Sequence, residues 1–195
     1  MKKISFLALA FIVFSAFTTT HTEEFKVDSK KSKLEWVAKK VTGGHNGYVS
    51  VKNGSVLMDH GKIAKASFSI DMTTITNEDI ESDKYRAKLI EHLKSEDFFE
   101  VSKHPEVNFK MIRSNSLGNS KYNILGELTI KGNKSVISFP LELNQSGSEL
   151  TAKGTFKFDR TKFDIIYDSG SFFENLGDRA IDNDVVVNFE FVLSK

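Results

Sequence analysis

The chain has 195 residues, of which 39% are hydrophobic and 27% charged, with a formal net charge of +1 at pH 7. This length fits one domain with a substantial buried core. The near-neutral charge, without a dense run of Lys or Arg, argues against a general nucleic-acid-binding surface, because such binding depends on clustered basic side chains facing phosphates.

The N-terminal segment has the layout of a secretory signal peptide. Two lysines precede an apolar run over residues 4–17, and small or polar residues follow. That run is shorter than the roughly 20 residues that a membrane-spanning helix needs. We therefore predict a signal peptide at 1–22, cleaved between Ala16 and Thr22, and a periplasmic or secreted protein without a membrane span. The sequence has no cysteine, so the exported fold must be stable without disulfides.

The rest of the chain is dominated by segments in which apolar and polar residues alternate. This period of two is typical of antiparallel strands with one buried and one solvated face. We predict eight to ten strands in an all-β barrel or sandwich, and favour the closed barrel because closure removes exposed strand edges. The clearest apolar faces are Leu34, Trp36 and Ala38; Ala64, Ala66, Phe68, Ile70 and Met72; Tyr122, Ile124, Gly126, Leu128 and Ile130; Leu150, Ala152, Gly154, Phe156 and Phe158; and Val185, Val187, Phe189, Phe191 and Leu193.

Turn residues separate these strands. Asn53-Gly54, between two short apolar runs, predicts a type I′ hairpin. Further turns are expected at 59–62, 131–134 and 145–147, where glycine is flanked by polar residues.

The sequence predicts one helix, at about 82–94, with Ser82 or Asp83 as its N-cap. Its apolar stripe is formed by residues at i, i+4 and i+8, namely Tyr85, Leu89 and Leu93. The Phe98-Phe99 pair follows, and a new strand begins soon after Pro105. We interpret residues 89–109 as an apolar cap joined directly to a strand.

The apolar faces mix small residues with large rings. Such a mixture can fill a tapering small barrel completely. It can equally leave a lumen, since an eight-stranded barrel is about the size that holds one small ligand. The sequence leaves both possibilities open.

The histidines and charged pairs do not form a recognisable reactive site. His45, His60, His92 and His104 lack the spacing of a zinc site, so we predict no metal ligands. His45 lies among glycines and is expected to hydrogen-bond across a turn. The Asp159-Arg160 pair could suggest catalysis, but at a strand end such a pair more often satisfies loop carbonyls. No nucleophile elbow is present either, and we predict no catalytic residues.

An ordered set of motifs runs through residues 24–193. Each motif is weak alone, but together they resemble the YceI-like family of polyisoprenoid-binding proteins, in a variant similar to Bacteroidetes members. The motifs are Trp36 to Lys40, Gly44-His45-x-Gly47, Ile70-Asp71-Met72, His92 to Phe99, Pro105, Phe109, Gly126 to Gly132, Phe158 to Phe163, and Gly170 to Asp178.

The resemblance implies an extended, antiparallel, eight-stranded, lipocalin-like barrel over 24–193, with one helix and capping loops. It also implies a hydrophobic lumen for a long isoprenoid or similar lipid, export to the periplasm and often a homodimer. We expect no cofactor apart from this lipid. The candidate lipid-binding residues are Trp36, Phe68, Ile70, Met72, Phe98, Phe99, Phe109, Tyr122, Ile124, Phe156, Phe158, Phe172 and Phe173.

Two alternatives to lipid carriage or sequestration stay open. One is a lipid isomerase or cyclase on the same barrel, with His45 or Asp159 as the working group. The other is a stress-response protein with a solid barrel and no ligand. For the rings at 98–99 and 172–173 a separate alternative is open, that they cover core without touching a lipid.

Overall fold

The structure is a computed structural model that describes residues 22–195. The predicted signal peptide, apart from Thr22, lies outside the described residues. The strands are β1 (Thr22–Val27), β2 (Lys33–Lys40), β3 (Gly43–Tyr48), β4 (Ser50–Asp59), β5 (Lys62–Asp71), β6 (Glu106–Gly118), β7 (Lys121–Ile130), β8 (Asn133–Ser146), β9 (Glu149–Asp159) and β10 (Ile181–Ser194), and the helix is α1 (Asp83–Lys94).

Eight antiparallel strands close into a barrel, in the order β1-β4-β5-β6-β7-β8-β9-β10. Closure occurs at β1, which pairs with β4 along one edge and with the end of β10 along the other, where Val27 lies opposite Leu193. β2 continues along β10 beyond β1, and β3 pairs with β2. The predicted eight-stranded barrel is therefore confirmed, with β2 and β3 as two additional strands.

The two ends of the barrel differ. At one end Phe25, Leu150 and Leu193 have exposed fractions of 0%, 1% and 0%. We call this the filled end; the β4–β5, β6–β7 and β8–β9 turns lie there. The opposite end is covered by α1 with the following residues 95–101, and by residues 160–181 between β9 and β10. We call it the capped end.

The predicted hairpin at Asn53-Gly54 is wrong. β4 runs straight through these residues, with Gly54 opposite Phe68 of β5 and a bulge nearby. Glycine is required there because a Cβ atom would collide with the Phe68 ring. The turn between β4 and β5 is instead at His60-Gly61, whose φ angles of 47° and 75° suit a type I′ hairpin.

Two predicted burial patterns also need correction. The alternation predicts that Ala64 faces inward. In the structure Leu57 pairs with Lys65 and Met58 pairs with Ile63, so Ala64 has no partner on β4. Ala64 is thus the extra residue of a β-bulge and is exposed. In α1, Tyr85 is 63% exposed, so the helix buries its apolar stripe only toward its C-terminal half. The helix itself begins as predicted, with Ser82 at the N-cap position.

Candidate functional site

The barrel contains an apolar lumen that reaches the capped end. Its cavity volume is about 170 Å³. The residues lining this lumen are apolar with the single exception of Arg160. A site of this composition can hold a long hydrocarbon chain but has little means of binding a polar molecule.

The exposure of inward-facing rings shows that the lumen is hollow. Phe68, Phe109, Phe156 and Phe189 lie on the inner faces of their strands, yet each is partly exposed. For Phe68, Phe109 and Phe156, which line only this lumen among the pockets of the described residues, the exposed area faces the lumen. The mixture of small and large residues therefore leaves space in this barrel instead of filling it.

The lumen wall carries a network of phenylalanine rings. Phe139 contacts Phe109, Phe156 and Phe189 at centroid distances of 5.7, 5.2 and 5.9 Å. Phe189 in turn lies 5.0 Å from Phe191. These separations are typical of favourable aromatic pairs, which stabilise the ring positions beyond simple area burial. The rings thus form a continuous apolar surface.

At the capped end, the segment after α1 places aromatic rings over the lumen. Phe98 and Phe99 both line it, together with Leu93 of the helix. Backbone hydrogen bonds from Phe99 N to Leu93 O (3.1 Å) and from Phe98 N to Ser95 O (3.2 Å) hold the pair in a tight turn. The predicted apolar cap is therefore built as a continuation of the helix C-terminus.

Two contacts join this cap to residues 160–181. The Lys131 ammonium, on a side chain 8% exposed, donates to the carbonyls of Glu96 (3.1 Å) and Asp164 (3.0 Å). The His92 ring packs edge-on against Phe98 and Tyr167, with centroids 4.9 and 4.8 Å away. The two covering segments consequently support each other across the capped end.

Arg160 fixes the second covering segment. It is 3% exposed, and its guanidinium donates to the carbonyls of Ile165 (2.8 Å), Ile181 (3.0 Å) and Asp182 (3.0 Å). Burial lowers its pKa, although three nearby aspartates oppose this. As predicted, the arginine satisfies loop carbonyls. Each of its three nitrogens donates to one backbone carbonyl, which holds the guanidinium against the chain.

Comparison with known proteins agrees with this architecture. The sequence matches the YceI-like domain over residues 25–193. The chain belongs to the YceI-like family. Among its relatives, a UPF0312 protein of Vibrio parahaemolyticus is 27% identical over 135 residues, covering 62% of this chain and 68% of the relative. A UPF0312 protein of Pseudomonas putida strain W619 is 27% identical over 156 residues, covering 76% of each chain.

Solved structures share the fold of this YceI-like chain. Burkholderia cenocepacia BcnA is 25% identical and has a TM-score of 0.65, covering 85% of this chain and 98% of BcnA. A domain from Saccharophagus degradans, described as polyisoprenoid-binding and implicated in plant cell wall breakdown, has a TM-score of 0.63. It is 14% identical and covers 87% of this chain and 97% of that domain.

The groups considered for catalysis lie outside the lumen wall of this YceI-like barrel. His45 Nδ1 is 2.8 Å from Asp79 Oδ2, which fastens β3 to the chain after β5. Burial tends to raise the pKa of Asp79, but hydrogen bonds from the Asn46 amide, His45 and Asn77 outweigh it and lower that pKa. Asp159 accepts hydrogen bonds from Thr161 N (3.0 Å) and Oγ1 (2.6 Å). Each carboxylate thus has a structural partner.

Two further features concern residues 22–195 alone. No group of three or more His, Asp or Glu side chains in this range is arranged to hold a metal ion. Within the same residues, no helix combines the length and the hydrophobicity of a membrane-spanning segment.

The structure brings most of the predicted lipid-binding residues together at the lumen. Tyr122 does not line it and lies toward the filled end, with its hydroxyl 3.5 Å from Gly61 O. Phe172 and Phe173 are 55% and 45% exposed, because both their amides bond to Ser169 O in a turn that directs the rings outward. The residues that do line the lumen are Trp36, Phe68, Ile70, Met72, Phe98, Phe99, Phe109, Ile124, Phe156 and Phe158.

Several lining residues were missed. Phe189 and Phe191 belong to the predicted apolar face of β10, and Phe139 lies in a similar alternation in β8. Consistent use of the alternation would therefore have predicted all three as lining residues. Arg160 and Ile165 come from irregular chain near the capped end, where periodicity carries no information.

Proposed function

We propose that this YceI-like protein binds a long apolar lipid of the isoprenoid or isoprenoid-quinone type in its lumen and carries or sequesters it. The observation that carries this proposal is the hollow lumen, whose walls are apolar apart from Arg160. The similarity to a domain described as polyisoprenoid-binding supports the ligand class. Periplasmic location and a homodimer belong to the same proposal, and they rest on the predicted signal peptide and the family resemblance.

Binding in such a site is driven by burial. Transfer of a CH₂ group from water to an apolar environment contributes about 0.8 kcal/mol, whereas association costs on the order of 4–15 kcal/mol. A few five-carbon units are enough to offset that cost. Because the walls are apolar apart from Arg160, selectivity depends on the length and width of the chain, and the head group stays at the capped end.

In this proposal the protein acts only by burying the lipid chain, and it performs no chemical step. His45 and Asp159 are engaged in hydrogen bonds that hold the backbone and do not line the lumen. We propose as lipid contacts the ten predicted residues that line it, from Trp36 to Phe158.

The direct test is native mass spectrometry of the purified protein, followed by titration of the lipid-free protein with geranylgeraniol. Trp36 is the single tryptophan and lines the lumen, so its fluorescence reports on occupancy. We expect a co-purified lipid and a saturable fluorescence change. A polyethylene glycol of matched length serves as the control and should give no change.

Two results would contradict the proposal. The absence of any bound lipid, together with no fluorescence response to long-chain prenols or quinones, would exclude a lipid carrier. Conversion of an added prenol by the wild type, lost in His45→Ala, would show an enzyme instead.

A further inference from the structure

Three glycines on the inner face of the barrel each lie beneath a phenylalanine ring. The pairs are Gly54 with Phe68, Gly126 with Phe109, and Gly154 with Phe189. A Cβ atom added at any of these glycines would lie closer than 3.0 Å to the ring carbons. Each ring therefore rests directly against the backbone of a neighbouring strand.

These pairs lie about halfway between the two ends of the barrel. Phe68, the ring over Gly54, is the strand partner of Phe109, the ring over Gly126, so these two pairs are neighbours. On β7, Gly126 is equidistant in sequence from Tyr122 near the filled end and Ile130 near the capped end. On β9, Gly154 is equidistant from Leu150 and Phe158. Four strand residues correspond to roughly 13 Å along each strand. We call this middle level, defined by the three glycine–phenylalanine pairs, the waist of the lumen.

The glycines have no conformational reason to be where they are. None of the three has a φ angle in the left-handed region, and all lie inside strands. Glycine in a strand interior is unfavourable, because it loses more backbone entropy than other residues and offers no side chain to pack. What these positions have in common is the ring that occupies the space of the missing Cβ.

We infer that the three pairs set the width of the lumen at the waist and thereby determine which lipid chains can pass it. With glycine below, each ring lies close to the wall and leaves the centre of the barrel open. Any larger residue must push the ring toward the axis. This inference rests on the proposed function, since it assumes a chain that enters from the capped end and extends toward the filled end.

A waist of fixed width should make the affinity for a prenol depend on the length of the prenol. In the wild type, affinity should increase as the prenol is lengthened from geraniol to geranylgeraniol, because the added units pass the waist. In a variant with a narrowed waist, the added units have no space beyond it. Short prenols, which occupy only the part near the capped end, should bind as before.

Gly126→Ala is the sharpest test. Apart from the Phe109 ring, the nearest atom to its new Cβ is Lys110 O at 3.1 Å, so the ring rather than the backbone must move. By Trp36 fluorescence we expect at least a tenfold loss of affinity for geranylgeraniol and an unchanged affinity for geraniol. The double variant Gly126→Ala/Phe109→Leu removes the ring and should restore the binding of geranylgeraniol.

Gly170→Ala is the matched control, because a Cβ atom there has no neighbour within 4 Å and the residue does not line the lumen. It should bind every prenol as the wild type does. Thermal unfolding of each variant checks that it is folded. Should Gly126→Ala not fold, Gly154→Ala applies the same test at the Phe189 ring.

The outcomes separate the two proposals. Unchanged binding of geranylgeraniol by a folded Gly126→Ala or Gly154→Ala protein would overturn the waist inference and leave the proposed function intact. An equal loss for geraniol and geranylgeraniol would also overturn it, since that result indicates general damage to the lumen. Failure of the wild type to bind any prenol would instead refute the proposed function.

Discussion

The residues around the lumen contribute apolar surface to its wall, while their polar atoms form hydrogen bonds within the protein. No buried side-chain nitrogen or oxygen among residues 22–195 lacks a hydrogen-bond partner. Trp36 is typical, since its ring lines the lumen while its Nε1 donates to Thr76 O at 3.1 Å. The wall therefore presents carbon to a ligand, and polar groups stabilise the surrounding backbone.

Arg160 provides a test at this scale. Arg160→Met keeps much of the side-chain length but leaves the carbonyls of Ile165, Ile181 and Asp182 without their donor. An unsatisfied buried polar group costs about 1–3 kcal/mol. We therefore expect urea unfolding to show a loss of about 3–5 kcal/mol.

The matched control is Arg179→Met, at an exposed position in the same segment. It should change the free energy of unfolding by less than about 0.5 kcal/mol. Similar values for the two variants would mean that Arg160 does not hold this segment.

At the scale of elements, the capped end consists of two chain segments that touch. The first is α1 with Phe98 and Phe99, and the second is the chain between β9 and β10. They meet through Lys131 and through the cluster of His92 with Tyr167. A lipid that enters or leaves at this end must separate them or pass between them.

Exchanging aromatic pairs for alanine tests the contribution of this cap. Phe98→Ala/Phe99→Ala removes two rings that line the lumen and should reduce lipid retention during purification by several-fold, because apolar contact area is lost. Phe172→Ala/Phe173→Ala removes two rings that are exposed and outside the lumen, and retention should not change. The measurement is the amount of co-purified lipid per protein by mass spectrometry.

Lower lipid retention by Phe172→Ala/Phe173→Ala than by Phe98→Ala/Phe99→Ala would contradict this assignment. It would mean that the exposed pair, rather than the pair in the cap, contacts the lipid. Equal retention by the wild type and Phe98→Ala/Phe99→Ala would remove that pair from the site.

At the scale of the whole molecule, a hollow barrel links ligand binding to stability. The lumen occupies the place where a solid barrel would have core, so filling it supplies contacts that the empty protein lacks. A ligand that binds only the folded state at 100 times its Kd adds about 2.7 kcal/mol to the free energy of unfolding.

Removing the lipid should therefore lower the thermal midpoint. For a domain of this size we expect a decrease of about 5–10 °C. Adding geranylgeraniol back should restore it, with a shift that grows with prenol concentration. The measurement is calorimetry of the native, lipid-free and refilled protein. An identical midpoint in all three states would mean that the lumen is not the ligand site.

Much of this architecture was predictable from local patterns. Alternation identified the strands and most inner faces, because side chains in a strand point to opposite sides in turn whatever lies across from them. The helix at Asp83–Lys94 and the cap at Phe98-Phe99 followed from spacing in the same way. At Asn53-Gly54 a strong local hairpin signal gave a wrong prediction, because glycine there makes room for the Phe68 ring on another strand.

The sequence by itself determined which residues face inward on most strands, and the tertiary structure decided whether these residues leave a space between them. Phe109 and Gly126 are on different strands, and only their pairing places the ring against the glycine. The outward direction of Phe172 and the contacts of Arg160 likewise depend on backbone atoms elsewhere in the fold. Inward direction is a local property of the strand, whereas an empty lumen is the result of how rings from many strands fit together.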